Sequence, residues 1–171
     1  MSNRAEMSLL AGRSSAQLSE EQVRRVVNTF LGLDREVDSK YDEAGYTRFV
    51  VETEDGEEVG RVYFGRDIFP GAGVVDPNSA LSMKAAAAHE CSHFHRWQDR
   101  TELTLGVHRE LDEGMTSLDA ALRFADQLSA FEIQQLIRDA LQRLQRHRAA
   151  LDADSAESPD ISVGELSTNA P

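Results

Sequence analysis

The chain is short of cysteine. Cys91 is the only one in 171 residues, so no disulfide can form within it. Long apolar runs are missing too: none approaches the ~20 residues that a membrane-spanning helix needs. The opening Met1-Ser2-Asn3-Arg4-Ala5-Glu6-Met7-Ser8-Leu9-Leu10 has no apolar stretch long enough for a secretory signal. These absences lead to the expectation of a soluble, cytoplasmic protein with no membrane partner. Positive charge is also scarce, since 18 Lys and Arg face 30 Asp and Glu, a formal net charge of −12. Such a balance argues against non-specific binding to nucleic acid. There is no internal repeat, and the length suits one domain with a modest core.

What is present reads in a clear order. Residues 1–17 look like a mobile leader, 18–151 like a single domain, and 152–171 like a disordered acidic tail without periodicity. Ser19 and Gln22 form a capping box that opens a helix to about Leu33, with Val26 and Phe30 on its apolar face. Two β-rich segments, 46–52 and 58–64, flank Glu54-Asp55-Gly56-Glu57, which reads as a hairpin turn. Pro70, Gly71, Gly73 and Pro77 mark a shaped loop. Two helices follow, and then a long one from Ser129 to about Ala150 with Ile133, Leu136, Ile137, Ala140, Leu141 and Leu144 at helical spacing. Arg138, Arg143, Arg146 and Arg148, interleaved with them, read as its solvated face. The expected class is α+β and mostly helical, with a short antiparallel hairpin beside the first of the two helices.

That helix carries His89-Glu90-Cys91-Ser92-His93, an H-E-x-x-H sequence. Positions i and i+4 lie one turn apart on one helix face, so both imidazoles can reach one Zn²⁺. Glu90 then points beside the metal, where a general base for a metal-bound water belongs. The preceding Ala85-Ala86-Ala87-Ala88 has high helix propensity, and Ser79 or Ser82 can cap the start. The alanines also keep the helix slim. Cys91, between the histidines, reads as a core packing residue, and Trp97 as packing near the helix end.

A catalytic zinc site keeps three protein ligands and an open position. A third histidine in the metzincin position is excluded, because Arg96 and Asp99 stand where Gly and His would be required. The next helix has an apolar stripe of Leu111, Met115, Leu118, Leu122 and Ala125. Glu113 lies opposite that stripe, on a face with Ser117, Ala120 and Phe124. A carboxylate among small residues on a second packed face suits a metal ligand, so Glu113 is the expected third ligand, with Glu110 and His108 as rivals. Ser117, one turn on, can orient a ligand. Asp119 is a weaker partner for that task.

His89-Glu90-Cys91-Ser92-His93 followed by Asp112-Glu113-Gly114-Met115-Thr116-Ser117 resembles the gluzincin metallopeptidases, and the spacing resembles their thermolysin-like branch. A domain this compact is also similar to the ImmA/IrrE-like regulatory peptidases and the minimal gluzincins. The resemblance covers residues 81–124. Asp112 replaces the usual Asn, and Leu118 stands where an Asp follows the Ser, which leaves Asp119 or Asp112 to supply the helix-supporting carboxylate. It implies a zincin-like domain whose hairpin lies beside the cleft, with 58–64 nominated as the strand that holds an extended peptide.

The expected chemistry is amide hydrolysis. Zn²⁺ on His89, His93 and Glu113 acidifies a water toward a pKa of ~7, and Glu90 takes its proton. His108, Arg109, His95 and Tyr63 are the expected oxyanion donors, with His108 placed among the catalytic residues. A peptide or protein substrate follows from this reading, as does selective or regulatory action. Two alternatives stand beside it: a non-proteolytic protein in which metal fastens two helices, and a metal-free module that forms a homodimer through the C-terminal helix.

Overall fold

The computed structural model describes residues 12–71, 81–103, 106 and 108–157. Five strands and four α-helices occur among them: β1 (Gly12–Arg13), α1 (Glu20–Leu33), β2 (Asp38–Tyr41), β3 (Arg48–Glu54), β4 (Glu57–Phe64), β5 (Pro70–Gly71), α2 (Met83–Gln98), α3 (Arg109–Arg123) and α4 (Ala130–Glu157). This is a mostly helical α+β fold, as expected. No helix among the described residues is long and apolar enough to cross a membrane.

Local chemistry accounts for the element ends. The Ser19 hydroxyl accepts from the Gln22 amide while the Gln22 side chain accepts from the Ser19 amide, so the capping box is formed. Ser82, of the two serines considered, caps α2 by accepting from Ala85 N at 3.1 Å. Ser79 lies outside the described residues. The hairpin turns on Asp55 and Gly56, whose φ values of 52° and 88° are those a tight two-residue turn requires.

The sheet holds a strand that the sequence reading omitted. Asp38–Tyr41 pairs in parallel with Arg61–Phe64, so the strand order is β2-β4-β3 and β4 is central. The nomination of 58–64 as a substrate strand is therefore corrected: β4 is flanked on both sides, and the edges of the sheet are β2 and β3. The omission has a plain cause, since Asp-Ser-Lys-Tyr lacks the β-branched alternation that marks strands.

Two described segments extend the regular structure beyond the expected limits. Gly12–Arg13 pairs with Pro70–Gly71, and the buried Arg13 guanidinium donates to the carbonyls of Asp67, Ile68 and Leu81. α4 continues to Glu157, past the expected stop near Ala150.

The core is built on α2. Ala85, Ala87, Ala88 and Cys91 are fully buried, and Phe30, Val62, Phe64 and Leu136 close around them from α1, the sheet and α4. Phe49, Phe94 and Trp97 pin α2 to β3, with ring centroids 6.0 to 6.4 Å apart. Gly60 makes that contact possible, because a Cβ there would meet the Trp97 ring at 2.8 Å.

α3 packs its Glu113 face inward, as expected, but leaves most of its expected apolar stripe at the surface. Gly114, Thr116, Ser117, Ala120 and Ala121 are buried, while Met115, Leu118 and Leu122 of the expected apolar stripe are exposed. Close approach explains this. A Cβ on Gly114 would lie 3.3 Å from the Ala140 carbonyl oxygen, so only a slim face fits between α2 and α4.

Candidate metal centre

α2 presents His89 and His93 on one face, and α3 crosses it with Glu113. The ligating atoms of these three residues all lie within 4.8 Å of one another. The Glu113 Oε2 atom is 3.2 Å from His89 Nε2 and 3.7 Å from His93 Nε2. Ligands about 2.0–2.2 Å from a tetrahedral ion sit roughly 3.3–3.6 Å apart, so this spacing suits a small metal ion. The donor set of two imidazoles and one carboxylate is chemically right for such an ion, and the cluster can hold one.

A buried hydrogen-bonded chain sets the His89 tautomer. Asp139 on α4 can only accept, so Ser117 donates to its Oδ2 at 2.6 Å. The Ser117 oxygen then accepts from His89 Nδ1 at 2.9 Å, so it is Nε2 that faces Glu113. Ser117 thus does what the sequence suggested. The carboxylate behind it is neither Asp119 nor Asp112. Asp119 pairs with Arg123 on the surface, and Asp112 is held by Arg96 at 2.6 Å and by Leu103 N at 2.8 Å.

Arg143 corrects the sequence reading of α4. It is buried, not solvated, and lies 3.2 Å from Asp139, 3.5 Å from Glu113 and 3.6 Å from Glu110. It ties the rival carboxylate Glu110 to the cluster's edge and holds Glu113 and Asp139 at once. Neither Asp139 nor Arg143 stood out in sequence. The available signal was their i, i+4 spacing on one helix face, which ordinary surface ion pairs share.

Electrostatics follow from these contacts. Burial lowers the basicity of His93, but Glu102 and Glu113 outweigh it and lift its pKa to about 10. Burial also opposes the charge on Glu113, yet His89 and His93 hold it well below the usual carboxylate range. Glu90 is raised, mainly by burial and against the pull of both histidines. Burial pushes the Cys91 thiol up as well, in keeping with a packing role.

A cavity of about 910 Å³ opens over the cluster. His89, Glu90, His93 and Glu113 line it, with Phe49 and Val51 from the open-edge strand β3. Phe49 stacks on the His93 ring with 4° between planes and 6.3 Å between centroids. Among the four expected oxyanion donors, Arg109 lines the cavity. The other three are engaged elsewhere. His108 is exposed at the start of α3 with its ring 5.9 Å from His147, His95 is bonded to Asp34 at 2.6 Å, and the Tyr63 hydroxyl donates to Glu52 at 2.8 Å. Trp97 packs under the sheet rather than along the cavity.

Comparison with known proteins adds nothing to this geometry: no family model, no curated protein and no solved structure matches the chain.

Proposed function

We propose that the protein is a zinc-dependent peptidase of gluzincin type, with His89, His93 and Glu113 as ligands and Glu90 as general base. The observation that carries this reading is Glu90 itself. It is not needed as a ligand, yet it is buried next to the cluster and lines the same cavity. A structural metal site needs no such carboxylate.

Bound in this cluster, zinc supplies Lewis acidity and a water whose pKa falls toward ~7. The chain's own residues do the rest. Glu90 accepts the proton of the attacking water and passes it to the leaving nitrogen. Ser117 and Asp139 hold the His89 ring, and Arg143 holds Glu113, so neither ligand needs to reorganise on binding. We assign the developing oxyanion to Arg109, the expected donor that lines the same cavity. An extended peptide adds along the open edge of β3, with Phe49 beneath it, and backbone pairing then positions the scissile bond.

The test is Glu90→Gln. This variant is expected to keep zinc and lose peptide cleavage by at least ~100-fold, read with a mixed peptide library and mass spectrometry. A variant that cleaves like wild type removes Glu90 as base. A wild-type protein that binds zinc and cleaves nothing supports the other reading, in which the metal fastens α2 to α3.

A further inference from the structure

Most of the charge that lines the cavity is already partnered. Arg13 donates to backbone carbonyls, Arg48 pairs with Asp42 at 3.0 Å, and Asp67 accepts from Thr47. Glu102 faces His93 at 3.7 Å, Asp112 is held by Arg96, and Arg143 links Glu110 to Glu113. Apart from the base Glu90, two charged side chains lining the cavity have no ion pair or hydrogen bond among the described residues: Arg109 and Arg146. Both are exposed cations, in a chain whose net charge is −12. The helices explain why neither is neutralised. A carboxylate that pairs along a helix stands three or four residues away. For Arg146 on α4 those positions hold Gln142, Arg143, Ala149 and Ala150. For Arg109, at the start of α3, they hold Asp112 and Glu113, which Arg96 and the two histidines engage. Between the helices, Arg143 reaches Glu110, and the His147 ring lies 5.9 Å from that of His108. Arg146 falls between those contacts, so it stands beside the first turn of α3, on the Arg109 side of the cavity.

Resting on the peptidase reading, with Arg109 given to the oxyanion, we infer that Arg146 selects peptides carrying a carboxylate close to the scissile bond. That carboxylate is an Asp or Glu side chain or a free C-terminus, since one guanidinium matches its two oxygens in a paired hydrogen bond. A phosphate group is met by clusters of arginines. No such cluster forms here, because Arg143, one turn from Arg146, already joins Asp139, Glu113 and Glu110. Arg146 touches none of the three ligands among its described contacts, so it chooses substrate and takes no part in hydrolysis itself.

Binding measured apart from cleavage distinguishes a failure here from a failure of the peptidase reading. End-blocked peptide pools, random except for a central Glu, Gln or Lys, are dialysed to equilibrium against the full Glu90→Gln chain and counted by mass spectrometry. The Glu pool is expected to bind ~5-fold more tightly than the Gln pool, as a partly exposed ion pair allows. Adding Arg146→Gln should erase that preference, Arg146→Glu should turn it toward the Lys pool, and Arg146→Lys should keep most of it. A Gln pool with a free C-terminus, set beside its blocked form, tells a terminal carboxylate from a side-chain one, and a preference for either sustains the inference. In cleavage by the chain with Glu90 intact, Arg146→Gln should close the gap in kcat/KM between Glu and Gln peptides. Equal binding of the Glu, Gln and free-ended pools, or none, overturns the inference. So does an acidic preference that survives Arg146→Glu, the result expected if the metal itself holds the carboxylate. The expected binding pattern without any cleavage by wild type removes the peptidase reading and still supports a carboxylate-selective cavity.

Discussion

On its inner side α3 brings Gly114, Ser117, Ala120 and Ala121 against α2 and α4, while on its outer side Met115, Leu118 and Leu122 meet solvent. Hydrophobicity alone would have turned the helix the other way round. The observed orientation shows that close approach and polar satisfaction outweigh apolar burial here. Glu113 can come within 3.2 Å of His89 only if its neighbours are small. Once α3 is that close, Asp112 is bonded to Arg96, and Ser117 to both His89 and Asp139. Larger residues on that side would hold the carboxylate away from the histidines.

The strongest way to break this contrast is to remove the inner carboxylate. Glu113→Ala should abolish stable metal binding, while Leu122→Glu on the outer side should leave one metal per chain, both read by elemental analysis. Equal losses in the two variants would mean that the sides are not functionally distinct.

The second sharpening concerns the support behind His89. Asp139→Asn should weaken metal affinity by ~10- to 100-fold, measured by competition with a chromogenic chelator. Asp119→Asn, at one of the two carboxylates the sequence offered, should change it little, because Asp119 pairs with Arg123.

The paired histidines of the candidate metal centre and the hairpin were legible in the sequence because their signals are local. His89 and His93 are one turn apart, the Ser19–Gln22 box spans three residues, and Asp55-Gly56 is a two-residue turn. Glu113 was found because a lone carboxylate on a small-residue face is unusual. What escaped depends on contacts between distant segments. Asp139 meets Ser117 across 22 residues, and β2 reaches β4 by a parallel crossover. Arg143 looked like its solvated neighbours because only packing against α3 distinguishes it. The exposure of the apolar stripe of α3 escaped for a related reason: a slim face is silent to a hydrophobic pattern, and Gly114 declares itself only when Ala140 lies against it.

A smaller effect separates the same two sides through packing. Gly114→Val should cost ~1–3 kcal/mol by overpacking against α4, read by urea denaturation. Met115→Val, one residue away and exposed, should stay within about 0.5 kcal/mol.

Proton linkage gives the gentlest test. In the metal-free protein the pKa of His93 is raised from 6.5 to about 10, so its pairing with Glu102 and Glu113 is fully present below pH 6.5 and is lost as pH rises through 10. Metal must displace that proton, so its binding should tighten across the same window, by up to ~10-fold per pH unit. Metal-free stability and metal affinity should therefore have opposite pH slopes. Parallel slopes would show that His93 is not a ligand.

The central claim is most directly tested by the zinc content of the untagged protein purified without added metal, set beside His93→Ala and Glu113→Ala. The account predicts close to one zinc per wild-type chain and close to none in either variant. A wild-type chain that holds no zinc even after reconstitution, or variants that keep it, would contradict a centre built from His89, His93 and Glu113.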